Sequence, residues 1–102
     1  MRRDPKNRDF HLMEIGIAYY SLGRSTEAIP VLKQFINSYP GFIDARCVLA
    51  AAYVESGMIQ QAHAEAAGIK RFSPGFSLEA GLFKGAKQSD RLISDLRRAG
   101  LS

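Results

Sequence analysis

Hydrophobic side chains near the start of the chain recur with a helical period. Leu12, Ile15 and Tyr19 lie three or four residues apart, which is the spacing of one face of an α-helix. Gly23 follows them, and glycine commonly closes a helix because it adopts a left-handed backbone without strain. The pattern therefore predicts a helix over residues 9–22 that ends at this glycine.

A second apolar face begins shortly after that glycine. Ser25 or Thr26 is expected to cap the second helix, because a hydroxyl accepts a hydrogen bond from a free backbone N–H of the first turn. Proline and glycine at positions 40 and 41 end the segment. The apolar positions of this helix are Ala28, Val31, Leu32, Phe35 and Ile36.

The same pattern recurs 34 residues later without a gap. A fixed period of this length indicates a repeated structural unit. The second copy predicts helices over residues 44–56 and 60–72, separated by Gly57. The identical pairs are Ala18 and Ala52, Tyr19 and Tyr53, Gly23 and Gly57, Ala28 and Ala62, Pro40 and Pro74, Gly41 and Gly75, and Phe42 and Phe76.

These positions resemble the tetratricopeptide repeat, a family of helix-turn-helix units of 34 residues. The resemblance divides the chain into units 9–42 and 43–76. It implies an all-α fold, a right-handed superhelix of two units, in which small residues such as Gly16 and Ala28 let paired helices approach closely. The positions that match the family signature are Gly16, Tyr19, Gly23, Ala28, Pro40, Ala50, Tyr53, Gly57, Ala62 and Pro74.

Two positions of the second unit depart from the family pattern. Arg46 stands where an aromatic residue is usual, and Ala66 stands where a larger residue is usual. We therefore expect the second unit to pack more loosely than the first.

The two ends of the chain fall outside the repeat. Residues 1–8 look like the tail of a preceding repeat or a linker, since an aspartate-proline pair often closes a unit of this family. We expect the chain to be the C-terminal part of a longer protein; the alternative is a short natural protein with an irregular start. In the C-terminal segment, residues 77–102, we predict a short helix over 78–83 and a loop over 84–88.

A last helix is predicted at about residues 89–99, with Ser89 as its cap. It is expected to act as a capping helix, because a solenoid needs a terminal element with one polar face. Its expected apolar face consists of Leu92, Ile93, Leu96 and Ala99. Its expected polar face consists of Asp90, Arg91, Ser94, Asp95, Arg97 and Arg98.

The tail is also similar to the extreme C-terminus of bacterial class III adenylate/guanylate cyclases that carry tetratricopeptide repeats. Those chains commonly close on an aspartate-leucine-arginine helix ending in LRKAGL, and this chain has LRRAGL at residues 96–101. Leu82 and Gly85 replace the proline and aspartate that the cyclases usually have nearby. The resemblance implies a larger bacterial regulatory protein, whose catalytic domain, if there is one, lies upstream.

Charge and cysteine content narrow the possible functions. The net charge is +4, with many basic residues at the two ends, so a nucleic-acid-binding accessory domain is the alternative function. No apolar stretch has the length of a membrane span or the form of a secretory signal, and we expect a cytoplasmic location. Cys47 is the only cysteine, which excludes an internal disulfide and a thiolate zinc site within one chain.

The sequence offers no residue set for catalysis or metal binding. Gly16 and Gly23 are separated by six residues and followed by Arg24, whereas a phosphate-binding loop has four residues between its glycines and then a lysine. His11 and His63 fall in different units, without a carboxylate or cysteine at ligand spacing. We therefore expect no enzyme activity, no cofactor, no metal and no small-molecule substrate.

The family resemblance implies a concave face formed mainly by the first helix of each unit. Because this face is apolar, we expect it to hold a protein or peptide partner or a segment of its own protein; alternatively, an adjacent repeat and the C-terminal helix cover it. Two repeats are fewer than the about three that a stable solenoid needs, so self-association is also expected. We predict a non-catalytic protein-protein interaction or self-association module. The predicted partner-binding residues are Phe10, Met13, Ile17, Tyr20, Asp44, Cys47, Val48, Ala51 and Val54.

Overall fold

The structure is a computed structural model that describes residues 5–75 and 89–101, with side chains described for residues 11–75 and 90–101. Within these ranges every regular element is an α-helix, so the predicted all-α class is confirmed. The helices are α1 (Pro5–Ser21), α2 (Ser25–Ser38), α3 (Ile43–Glu55), α4 (Ile59–Phe72) and α5 (Ser89–Arg98). The predicted short helix at 78–83 and loop at 84–88 lie outside the described residues.

The turns that follow α1 and α3 have the same backbone geometry. Gly23 has φ +80° and Gly57 has φ +79°, which is the left-handed region that favours glycine. After each helix the chain folds back in the same way: the Arg24 N–H donates to the Tyr19 carbonyl at 2.8 Å, and the bond 34 residues later has the same length. Both glycines are therefore helix stops, as the period predicts.

Two helix starts differ from the sequence prediction. α2 begins at Ser25 itself, and neither Ser25 nor Thr26 caps it. The residue before the helix is Arg24, whose guanidinium instead pairs with Glu27 in the first turn, with Nε 2.5 Å from Oε1 and Nη2 3.0 Å from Oε2. α1 begins at Pro5, four residues earlier than predicted, so residues 5–8 are helical; proline is favoured at a first helical position because its N–H is not needed there.

The first four helices pack in chain order. α1 packs against α2, α2 against α3 and α3 against α4, while α1 also touches α3. Gly16 is the closest approach of α1 to α2, because a Cβ added there would lie 2.6 Å from Cγ of the buried Leu32. The side chain nearest to this position is therefore Leu32, and the close approach of α1 and α2 at Gly16 is as predicted. The core of this layer includes Ala28, Leu32, Phe35, Leu49, Ala62 and Ile69.

Arg46, which stands where the family pattern has an aromatic residue, contacts the loop before α3 and helix α4. Its Nε donates to the carbonyl of Pro40, and its Nη1 lies 3.3 Å from Oε1 of Glu65. The guanidinium also stacks over the ring of Phe72, at 4.7 Å from the ring centroid. The side chain thus connects the loop before α3 with the middle and the C-terminal end of α4.

The last helix, α5, does not cap the end of the helix series. It packs against α3, and among the described helices α4 makes no comparable contact with it. Through Arg91 and Asp95, α5 also reaches the C-terminal end of α1. The predicted helix exists, but it lies across α3 beside the end of α1, whereas a terminal cap would lie on α4.

Candidate interaction surfaces

The predicted concave face is largely inside the molecule. Met13, Ile17 and Asp44 are half-buried, whereas the backbone of Phe10 lies in α1 and its side chain is not described. The remaining predicted residues are buried: Tyr20, Cys47, Val48, Ala51 and Val54. Most of these lie on α3, the helix against which α5 packs. In this structure the accessible part of the predicted face, among the side chains described, is reduced to Met13, Ile17 and Asp44.

A buried hydrogen bond joins the end of α1 to α5. The Tyr20 hydroxyl donates to Oδ2 of Asp95 at 2.7 Å, and both residues are almost fully buried. Burial, together with the neighbouring Glu55 carboxyl, raises the pKa of Asp95 to about 6. Burial and the Asp95 carboxyl raise the pKa of the Tyr20 hydroxyl far above its usual range. The Tyr20 hydroxyl is therefore a neutral hydrogen-bond donor. Its acceptor, the Asp95 carboxyl, is protonated at a higher pH than an ordinary aspartate.

An ion pair between α3 and α5 lies next to this bond. Arg91 donates twice to Glu55, from Nε to Oε2 at 2.6 Å and from Nη2 to Oε1. The Arg91 guanidinium also lies 4.3 Å from the centroid of the Tyr20 ring. These hydrogen bonds from Arg91 lower the pKa of Glu55 to about 2. We call the Tyr20–Asp95 bond and the Arg91–Glu55 pair together the polar clasp.

The polar clasp corrects the prediction for the last helix. Leu92, Leu96 and Ala99 are buried as predicted, and Ile93 is half-buried. Arg91 and Asp95, however, were expected on the solvent-facing side, and both turn to other helices. The only local signal is their four-residue spacing beside Leu92 and Leu96, and it does not specify partners 36 and 75 residues away.

A different apolar surface is exposed on α1. One side of this helix carries His11, Ile15 and Ala18, and Leu22 continues it directly after the helix; we call these four residues the outer face of α1. Ile15 on this face is half-buried and Ala18 is exposed, and Leu22 is 72% exposed. The equivalent positions on α3 are buried or half-buried: Ala45, Leu49, Ala52 and Ser56. The difference arises because α2 packs against α3 and no described helix occupies the corresponding place beside α1.

Two positions on α4, at the opposite end of the helix series, are polar where α2 has isoleucines. Ile29 and Ile36 on α2 are half-buried and buried, respectively. Their equivalents on α4 are His63 and Lys70, and both are exposed. The outer face of α4, defined by these two residues, therefore lacks the aliphatic side chains that α2 presents at the same positions.

The described residues contain neither a metal-binding group of side chains nor a reactive thiol. Among residues 5–75 and 89–101, no group of three or more His, Cys, Asp or Glu side chains is placed to hold a metal ion. Burial raises the pKa of the Cys47 thiol to about 12, so this thiol is a poor nucleophile at neutral pH. None of the helices described here is long and apolar enough to cross a membrane.

Neither the protein-family models nor the curated proteins gave a match to this chain.

Proposed function

We propose that this chain is a non-catalytic self-association module of the tetratricopeptide-repeat type, which joins two copies of a larger bacterial regulatory protein such as an adenylate/guanylate cyclase. The observation that carries the proposal is the outer face of α1. Leu22 is 72% exposed, and Ile15 lies on the same face only half-covered. The same face of α3 is buried by a neighbouring helix, so this surface has the composition of a helix-packing face.

The outer face of α4 favours a second copy that pairs through α1 on both sides. Head-to-tail stacking would place the α1 face of one copy on the α4 face of the next. That contact would bury His63 and Lys70 against aliphatic side chains, which costs free energy unless both are paired. Pairing the α1 faces around a two-fold axis leaves His63 and Lys70 in solvent and gives a closed dimer. It joins Ile15, Ala18 and Leu22 of both copies, with His11 at the N-terminal end of the face. The small Ala18 allows two such helices to approach closely.

Sedimentation velocity over a range of concentrations tests the proposal. We expect the wild-type chain to be a concentration-dependent dimer. Leu22→Glu should shift it to monomer, because the dimer would place two carboxylates in an apolar contact. Ile59→Glu is the matched control, since it adds the same charge at an exposed aliphatic residue on α4.

Two results would overturn the self-association proposal. One is a wild-type chain that remains monomeric at every concentration reached. The other is a dimer that the control variant weakens as strongly as Leu22→Glu does, since the contact would then lie outside the outer face of α1.

A further inference from the structure

The last helix has the features of a bound ligand helix. Its buried residues follow one another at helical spacing, whereas Ser94, Arg97 and Arg98 on its other side are exposed. Among the described helices it packs substantially only on α3. The buried positions of this segment are Leu92, Asp95, Leu96, Ala99 and Leu101.

The helices under α5 also pack against one another. α1, α2, α3 and α4 each pack against their neighbours in chain order, and Leu32, Phe35 and Ile69 are buried in that layer. The surface that α5 covers on α1 and α3, which we call the groove, supplies one donor and one carboxylate from two different helices. The donor is the Tyr20 hydroxyl, and the carboxylate is Glu55.

The polar contacts give the groove a chemical preference and a direction. Arg91 must meet Glu55 while Asp95, one helical turn later, meets Tyr20. A helix inserted in the opposite direction would exchange these two side chains, and Arg91 would lose its two hydrogen bonds to Glu55. Leucines that directly follow each polar residue, at positions 92 and 96, supply the apolar contact.

From this arrangement we propose that the groove is a receptor for an amphipathic helix with the pattern Arg-Leu-x-x-Asp-Leu, and that α5 is its exchangeable ligand within the same chain. A helix of the same chemistry on a second molecule competes with α5 for the groove. The inference does not depend on pairing of the α1 outer faces, because it uses other residues.

A charge exchange in the full chain tests the proposal. The probe is a fluorescent peptide with the sequence of residues 89–101, and binding is measured by anisotropy. In a Glu55→Arg chain, the introduced guanidinium repels Arg91 and releases α5. A peptide carrying Arg91→Glu should then bind this chain at least tenfold more tightly than the unchanged peptide does. It should also bind the variant at least tenfold more tightly than it binds the wild-type chain.

An Arg97→Glu peptide is the matched control, because Arg97 is exposed on α5 and outside the polar clasp. It should bind the variant no better than the unchanged peptide. Equal binding of all three peptides to a folded Glu55→Arg chain would overturn the proposal. If Glu55→Arg unfolds the chain, refolding by the Arg91→Glu peptide, followed by circular dichroism, supports exchange in trans. Failure of that peptide to refold the chain overturns it.

Discussion

α1 and α3 hold equivalent places in the two repeats, yet their surroundings differ. Nearly every residue of α3 from Ala45 to Val54 is buried, because α2, α4, α5 and α1 all contact this helix. α1 has α2 on one side and touches α3, and its outer face is open. Equivalent positions can be as different as Leu22, which is 72% exposed, and its half-buried counterpart Ser56. The comparison shows that neighbouring helices, rather than the sequence pattern of one helix, decide which face becomes core.

Truncating the same position in both helices should give the largest contrast. Leu49→Ala removes a side chain that is 1% exposed, and we expect a loss of about 2–5 kcal/mol in the free energy of unfolding. Its equivalent, Ile15→Ala, affects a half-buried side chain and should cost about 1 kcal/mol at low concentration. Urea titration followed by circular dichroism measures both values. Equal losses would contradict the difference in burial.

Replacing two helix glycines, Gly16 and Gly68, by alanine should change the free energy of unfolding differently. Gly16→Ala places a Cβ 2.6 Å from Leu32 Cγ, and we expect a net loss of about 1–2 kcal/mol despite the better helix propensity of alanine. Gly68→Ala on α4 is the matched control, because its Cβ would meet only the end of the Arg46 side chain at 3.3 Å. The control should be neutral or stabilise the fold by up to about 1 kcal/mol. Thermal unfolding distinguishes the two, and stabilisation by Gly16→Ala would exclude the close contact.

The contact of Tyr20 with Asp95 at the end of α1 should make the stability of the fold depend on pH. α3 has no equivalent contact, because Val54 stands in place of Tyr20. The raised pKa of Asp95, caused mainly by burial, means that the folded state holds this proton more tightly than the unfolded state. Stability should therefore fall, on the order of 1 kcal/mol, as pH rises from about 4 to about 6. Below pH 4.5 the lowered pKa of Glu55, set by Arg91, acts in the opposite direction, and stability falls again toward pH 2.

Chemical denaturation at a series of pH values measures this profile. Asp95→Asn should remove the fall between pH 4 and 6 and leave the decline at lower pH. A profile that rises steadily from pH 4 to 7 in the wild-type chain would show that Asp95 is not held protonated by its surroundings.

Substitutions at the equivalent positions Leu22 and Ser56 should have the smallest effect on stability. The Ser56 hydroxyl is buried without a hydrogen-bond partner in the described structure, so Ser56→Ala should stabilise the fold by about 0.5–1 kcal/mol. Leu22→Ser should change the stability of the dilute chain by less than about 0.5 kcal/mol, because that side chain is exposed. Differential scanning calorimetry at low concentration compares them. A destabilised Ser56→Ala variant would indicate that the hydroxyl has a partner.

The features that depend on neighbouring residues in the sequence, namely the helices and their glycine turns, were predicted correctly. The 34-residue period located four helices, and the glycines at 23 and 57 have the left-handed backbone that the pattern requires. The cap of α2 was predicted wrongly because Arg24 and Glu27 form a local ion pair, and the hydroxyl of Ser25 faces Glu55 instead. The family relationship and the binding role of the concave face remain predictions.

The position of α5 could not be predicted for a different reason. Its apolar face was evident from the spacing of Leu92 and Leu96, but any apolar surface satisfies such a face. The choice of α3 depends on Arg91 and Asp95 finding partners on two other helices. Contacts between residues so distant along the chain leave no local sequence pattern. In the sequence, a charged residue beside the apolar face that pairs with another helix cannot be distinguished from one that faces solvent.

The polar residues on the outer face of α4 also determine at which end further repeats could be added. An additional repeat placed before α1 would meet Ile15, Ala18 and Leu22, with His11 at the N-terminal end of that face, and its second helix could follow the sequence of α2. An additional repeat after α4 would first require replacement of His63 and Lys70 by residues such as the isoleucines of α2. Lengthening this protein by design is therefore a one-sided operation, with α1 as the end that accepts growth and α4 as the end that stops it.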